Sequence, residues 1–176
     1  MALESEISNR LLWRASTDQP DWNAVYSAQL PRVYNYFRYR LGNEAVAEDL
    51  TSRTFEKAWS ARQRYRRDLA GFATWLLSIA RNVAIDHLRA ERQHAPLAAA
   101  ANVAAAGTPE DDNAHASDLA RLRTLIARLP EREQELLALK YGAGETNRAI
   151  ARLIGLNESN VGTILHRAVN TLRHEW

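Results

Sequence analysis

Two stretches of this sequence carry side chains whose types and spacing suit contact with nucleic acid. The first is a concentration of cations. Between Arg53 and Arg92 stand nine basic residues (Arg53, Lys57, Arg62, Arg64, Arg66, Arg67, Arg81, Arg89 and Arg92) against four acids (Glu56, Asp68, Asp86 and Glu91), a local balance of 9 − 4 = +5 in a chain of net charge +2. A basic stretch beside a neutral remainder is a footprint for phosphates; a solvated face explains the charge alone equally well. The second lies near the C-terminus, where Ala151 precedes Gly155 by four residues and Val161 follows it by six. Two helices that cross tightly need a small residue on the first, a residue tolerant of positive φ in the turn, and an apolar anchor on the second. Ala151, Gly155 and Val161 fit those roles, and Ile150, Ile154, Leu156 and Ile164 can fill the shared core. A helix held in this way can enter a major groove. Its outward face would carry Ser159, Asn160, Gly162, Thr163, His166 and Arg167, small polar groups and a cation suited to base edges and phosphates. An ordinary helical hairpin is the competing reading of the same spacing.

Other chemistry finds no support. With no cysteine, disulfides and thiolate metal sites are excluded. His87, His94, His115, His166 and His174 are scattered without metal-ligand spacing. No Gly-rich phosphate loop and no nucleophile–base pair can be placed, so no catalytic residue, metal or cofactor is expected, and the chain reads as a binding protein, not an enzyme. The N-terminus lacks a basic segment followed by an apolar run, and no stretch approaches the ~20 apolar residues of a membrane span. A soluble cytoplasmic protein without membrane insertion is the expectation.

The elements that must position these residues are helices. The 3.6-residue period dominates, and no long run alternates apolar and polar residues. The expected fold is all-α: two small helical domains joined by a flexible linker, the C-terminal one a helix-turn-helix. Residues 1–22 read as a polar extension in which Leu11, Leu12 and Trp13 allow one helix. Residues 23–93 form the first unit: Val25, Leu30, Val33, Tyr34, Phe37 and Leu41 at helical spacing up to Gly42, a helix over 44–59, a basic loop over 60–71 and a long helix over 72–92. On that long helix Trp75, Leu76, Ile79 and Val83 share one face, which favours core over a stacking platform for Trp75, while Ser78, Arg81, Asn82 and Arg89 share another. Residues 94–117 read as a linker, since alanine has little surface to bury, Pro96, Gly107 and Pro109 interrupt helix, and Glu110, Asp111 and Asp112 make an acidic end. Residues 118–176 form the second unit: a helix ending at Pro130, another over 131–140, a turn at Gly142 and Gly144, and the helix pair about Gly155, with Asn157 as N-cap.

The local sequences are specific. Ala47-Glu48-Asp49-Leu50-Thr51 with Thr54-Phe55-Glu56-Lys57-Ala58-Trp59 resembles the polymerase-binding segment of sigma region two. Phe72-Ala73-Thr74-Trp75-Leu76-Leu77-Ser78-Ile79-Ala80-Arg81-Asn82, then Ile85-Asp86-His87-Leu88-Arg89, resembles its promoter-melting helix. Leu129-Pro130-Glu131-Arg132, Ala149-Ile150-Ala151 and Leu165-His166-Arg167-Ala168 with Leu172-Arg173 resemble region four. The chain thus resembles the extracytoplasmic-function (ECF) group of sigma factors, which keep only these two domains.

The resemblance implies a transcription initiation factor that binds core RNA polymerase and promoter DNA. Asp49, Leu50, Ser52, Arg53 and Glu56 would dock on the polymerase, with Asp49 as polar anchor and Leu50 as apolar contact. Arg62, Arg64, Arg66 and Arg67, with Ser78, Arg81, Asn82 and Arg89, would hold the opened strand of the downstream element, cations on phosphates and Asn82 on a base edge. The C-terminal helix pair would read the upstream (minus thirty-five) element, and the acidic linker would thread the RNA exit path. Factors of this group are often held inactive by an anti-sigma factor, which the resemblance implies as a further partner. Two departures stand out. Ser52-Arg53 replaces the usual Gln-Glu, and Ser159-Asn160-Val161-Gly162-Thr163-Ile164 lacks two basic positions common at the start of the recognition helix, which implies altered upstream specificity. The alternative reading is a helix-turn-helix regulator that binds operator DNA without serving as a polymerase subunit; it leaves the Asp49 and Asn82 helices as core alone. A pure interaction module without DNA contact is a further alternative.

Overall fold

A computed structural model describes residues 21–66, 69–98 and 113–176. The expectations for residues 1–20 of the N-terminal extension, for Arg67 and for the acidic end of the linker fall outside those residues, while Asp21 and Trp22, expected in the extension, belong to the first helical unit as the N-cap and first residue of its first helix. Among the described residues seven α-helices follow one another: α1 Trp22–Leu41, α2 Glu44–Ala61, α3 Phe72–Ala98, α4 Asn113–Arg128, α5 Glu131–Leu137, α6 Asn147–Ile154 and α7 Glu158–Glu175. A short 3₁₀ turn, Arg62–Arg64, extends α2, and a π turn, Ala138–Gly142, extends α5. No strand occurs among the described residues.

Local chemistry sets most boundaries. Asp21 caps α1 by accepting from the Asn23 and Ala24 amides, and Gly42 ends it at φ 72°, donating its own N–H to Arg38 O. Asn43 then caps α2 through the Val46 amide. Two boundaries differ from expectation. Helix α3 passes Pro96 and ends at Ala98, and α4 begins at Asn113, so helix enters the expected linker from both sides. The second difference follows Leu137. There the chain does not continue as α-helix to Lys140 but widens, with the Ala143 amide donating to Ala138 O, five residues back, at 2.9 Å.

Helices α1 to α3 bury Val25, Val33, Phe37, Leu50, Phe72, Leu76 and Ala80 among themselves. The C-terminal half buries Leu136, Leu139, Ile150, Val161 and Leu165. The two sets are continuous, because α1 packs on α2 and α3 on one side and on α5 and the π turn on the other. At that seam a Cβ added to Gly142 would lie 2.8 Å from the Asn35 carbonyl oxygen, so only glycine lets the π turn approach α1 this closely. Arg32 donates from Nε to Ala143 O at 2.8 Å and from Nη2 to Glu145 Oε1 at 2.7 Å. Arg40, with 6% of its side chain exposed, donates to Gln134 Oε1 at 3.0 Å and Glu131 Oε1 at 3.2 Å. Tyr36 is wholly buried beside them, and its hydroxyl has no hydrogen-bond partner.

Candidate nucleic-acid and protein interfaces

The candidate downstream face stands on an aromatic cluster. Phe72, fully buried at the start of α3, has ring centroids of Trp22, Tyr65 and Trp75 at 5.7, 5.4 and 5.3 Å. Tyr65 also donates from its hydroxyl to Ala70 O at 3.0 Å, and its ring contacts with Phe72 and Trp75 tie the loop to α3. Trp75 is half-buried against the core, as its place in the apolar stripe favoured. Arg62 is already engaged: its guanidinium lies 4.2 Å from the Trp59 ring centroid and donates to Trp59 O at 2.7 Å. Arg64 and Arg66 are exposed on the loop.

On α3 the expected residues divide. Asn82 and Arg89 are exposed and can meet a strand directly. Ser78 is half-buried, with its hydroxyl donated to Trp75 O at 2.6 Å, so it offers an acceptor more readily than a donor. Arg81 is not open to DNA in this arrangement: it donates from Nε to Glu135 Oε1 at 2.7 Å, across the seam between the halves. Arg92 likewise pairs with Glu131 at 2.6 Å. The Arg92 hydrogen bond is the main reason the Glu131 carboxyl is held below the ordinary range, while burial raises that of Glu145 against the pull of Arg32.

The candidate docking ridge of α2 is exposed at four of its five expected positions. Asp49, Ser52, Arg53 and Glu56 are exposed; Asp49 pairs with Arg53 at 3.7 Å, and the Ser52 hydroxyl bonds to Glu48 O. Leu50 is a correction. It is fully buried in the core of the first three helices, so it supports the ridge from beneath and cannot itself touch a partner.

The C-terminal pair has the expected turn. Thr146 caps α6 through the Ala149 amide, Gly155 takes φ 70° and donates to Ala151 O, and Asn157 caps α7 through the Asn160 amide at 2.7 Å. Ile150, Ala151, Val161 and Leu165 are buried between the helices. Ser159, Asn160, Thr163, His166 and Arg167 are exposed together on α7, with the Thr163 hydroxyl donated to Ser159 O and His166 Nε2 lying 3.0 Å from Asn170 Nδ2. Gly162 departs from that face. It is half-buried, and a Cβ there would meet Asn147 Nδ2 at 3.6 Å, so it borders α6 instead of pointing outward.

Residue-by-residue reading missed two features. Arg148 and Glu158 pair at 3.4 Å across the start of both helices, where α7 would enter a groove. Glu131 and Glu135 meet cations of the other half; the sign of an acidic helix was visible in Glu131, Glu133 and Glu135, but its target was not. Among the described residues no group of three or more His, Cys, Asp or Glu could hold a metal, and no helix is long and apolar enough to cross a membrane.

Comparison with known proteins gives both halves a counterpart. The family model for Sigma-70 region 2 matches residues 25–94, and that for Sigma-70, region 4 matches residues 119–172. The ECF RNA polymerase sigma factor BldN of Streptomyces coelicolor is 32% identical over 166 residues, 92% of this chain and 63% of the relative. The probable RNA polymerase sigma factor RfaY of Xanthomonas campestris is 34% identical over 139 residues, 74% of this chain. The chain spans only 63% and 34% of the lengths of these two relatives. The fold is like that of the sigma factor RpoE solved in complex with the anti-sigma factor NepR from Bartonella quintana, with a TM-score of 0.72 at 20% identity over 88% of this chain and 95% of that one.

Proposed function

The chain belongs to the extracytoplasmic-function group of the sigma-70 family, and on that premise we propose that it binds core RNA polymerase and directs promoter recognition and strand opening. One observation carries the reading: the two family segments stand in order on one chain, and the first bears an exposed Asp49–Glu56 ridge that DNA binding by the second does not need. The protein acts by binding, in the cytoplasm where the polymerase works. The ridge docks on the polymerase; Asn82 and Arg89, with the loop cations, hold the opened strand; α7 reads the upstream duplex. Transcription reconstituted with core polymerase and genomic fragments tests the whole. Specific transcripts that depend on this chain are expected, and their absence with active core enzyme would refute it.

Asp49→Arg is expected to weaken core-enzyme pull-down by about tenfold or more, since losing one partner of a hydrogen-bonded interface charge pair costs about 2–5 kcal/mol. The circular dichroism spectrum should stay helical, because Asp49 is exposed. Undiminished binding by the folded variant would rule out this ridge.

Strand opening and upstream recognition should separate by mutation. Asn82→Ala removes an amide able to pair with a base edge, so it should impair permanganate-detected opening while leaving upstream binding intact. Arg167→Ala should weaken upstream binding similarly across sequences and lower the salt slope by about one, as loss of a single phosphate contact does. An Asn82→Ala protein that opens promoters normally would remove α3 from strand capture.

A further inference from the structure

The spacing of Leu119, Leu122, Arg123 and Ile126 puts three aliphatic side chains and one cation on a single face of α4. That face meets a cavity and not a packed neighbour. The cavity has a volume of about 430 Å³, and its walls come from the last turns of α1, from α3 and from α4. We propose that it is a binding site for a small organic acid, an aliphatic chain ending in a carboxylate. The site rests on the cavity alone and goes beyond the function proposed above.

Pockets that hold small molecules run from about 300 to 1,000 Å³ and are mostly apolar, with a few placed polar groups. Leu41, Leu88, Leu122 and Ile126 supply the apolar part here. Leu88, Leu122 and Ile126 are half-buried yet stand outside the continuous core, so their surface is free for a ligand. Tyr39 and Leu119 line the cavity while 46% and 54% exposed, which leaves it open to solvent at one side. A hydrocarbon chain laid along these side chains leaves water for an apolar wall, the ordinary drive for such binding. A nucleotide or sugar phosphate would set its hydroxyls and ring nitrogens against the same aliphatic surface without partners.

The charge of the lining has one sign. Arg38, Arg40 and Arg123 line the cavity, and no carboxylate does. The carboxylates that pair with them are too few. Arg38 and Arg123 share Glu44 at 2.6 and 3.9 Å, and Arg40 and Arg92 share Glu131 at 3.2 and 2.6 Å. Four arginines on two carboxylates leave 4 − 2 = +2 beside the cavity. Arg40 is engaged by Gln134 as well as Glu131. Arg123 is the least engaged, since 3.9 Å from Glu44 is beyond hydrogen-bonding distance. Its planar fork of donors has the shape that takes a carboxylate through two parallel bonds. The acid would lie with its head on Arg123, near the charge that Arg38 adds, and its chain among Leu41, Leu88, Leu122 and Ile126.

Decanoate is the probe, titrated into the full-length chain by calorimetry and by methyl nuclear magnetic resonance. One decanoate should bind per chain, raise Tm as its concentration rises, and shift the methyl signals of Leu88, Leu122 and Ile126. Decanol has the chain without the charge and acetate the charge without the chain; each should bind at least about tenfold more weakly. Arg123→Gln should weaken decanoate by about tenfold, the effect of losing a hydrogen bond to a charged group. Arg173→Gln makes the same change of charge at an exposed position on α7 and should leave the affinity as it is. Ala127→Trp fills the cavity from an exposed position and should abolish binding with the helical circular dichroism unchanged. Decanoate that does not bind, or that binds wild type and Ala127→Trp alike, would overturn the site. So would decanol or acetate matching decanoate, and so would equal affinities in Arg123→Gln and Arg173→Gln. A concentration-dependent dimer that excludes decanoate would give the groove to a second copy of the chain and overturn it too. Transcription with core polymerase decides the proposed function separately, whichever of these results is found.

Discussion

Phe72→Ala should lower the unfolding free energy by about 3–5 kcal/mol, the range for emptying a buried aromatic site. Phe72 is fully buried and is the ring on which Trp22, Tyr65 and Trp75 converge. None of these neighbours can refill the space without leaving the others. The loss should be visible as a lower denaturant midpoint and as a collapse of the near-ultraviolet circular dichroism of the tryptophans. Because Tyr65 ties the basic loop to α3, strand capture should fall further than stability alone dictates under conditions where the variant is still folded. A stability loss below about 1 kcal/mol would show that the cluster is not a packed unit.

Arg32→Met should cost about 3–5 kcal/mol near neutral pH, the usual penalty for stranding a buried charge. The Glu145 side chain is only 8% exposed, and Arg32 is its ion-pair partner. The penalty should depend on pH with a definite sign. Burial already raises the Glu145 carboxyl above its ordinary value, and Arg32 is what lowers it. Without Arg32 it rises further. A carboxyl raised on folding contributes stability that is fully present below its unfolded value and is lost as pH rises toward the folded one. The deficit of Arg32→Met should therefore shrink as the solution is acidified through the carboxylate range. Glu131, lowered on folding, loses stability as pH falls, but in both proteins alike, so it cancels in the difference. Denaturation of the two proteins at several pH values checks this, and introducing Glu145→Gln into both should abolish the pH dependence of their difference. A deficit constant with pH would remove Glu145 from the account.

What could be read ahead of the structure was local. Gly42, Pro130, Gly155 and Asn157 each fix the chain by their own backbone chemistry, and each stands at the boundary expected of it. The ridge of α2 was legible apart from one step of about 100° of helix: Asp49 points outward and Leu50 inward, and type alone did not say which apolar residue was partner and which was core. Gly162 was misplaced by a similar margin, because the outward face of α7 ends where α6 begins. The seam had no local signature. Its ion pairs join residues 39 (131 − 92) to 113 positions apart, and an arginine bound for a carboxylate has the same letter as one bound for DNA. Arg81 was read as a strand contact on a pattern that the structure also uses to hold Glu135.

The π turn at Ala138–Gly142 makes the orientation of everything after it a matter of counting. An i to i+5 bond accommodates one residue beyond the α-helical register. Removing one residue there would let the turn tighten into α-helix, rotating the following chain by about 100° and drawing it back by about 1.5 Å. Ala143 and Glu145 would swing away from Arg32, and α7 would present a different azimuth to any duplex approached from the first half. On the function proposed, a substitution on α7 would change which base is read; a deletion in this turn would change the direction from which the reader arrives, with every contacting side chain left intact.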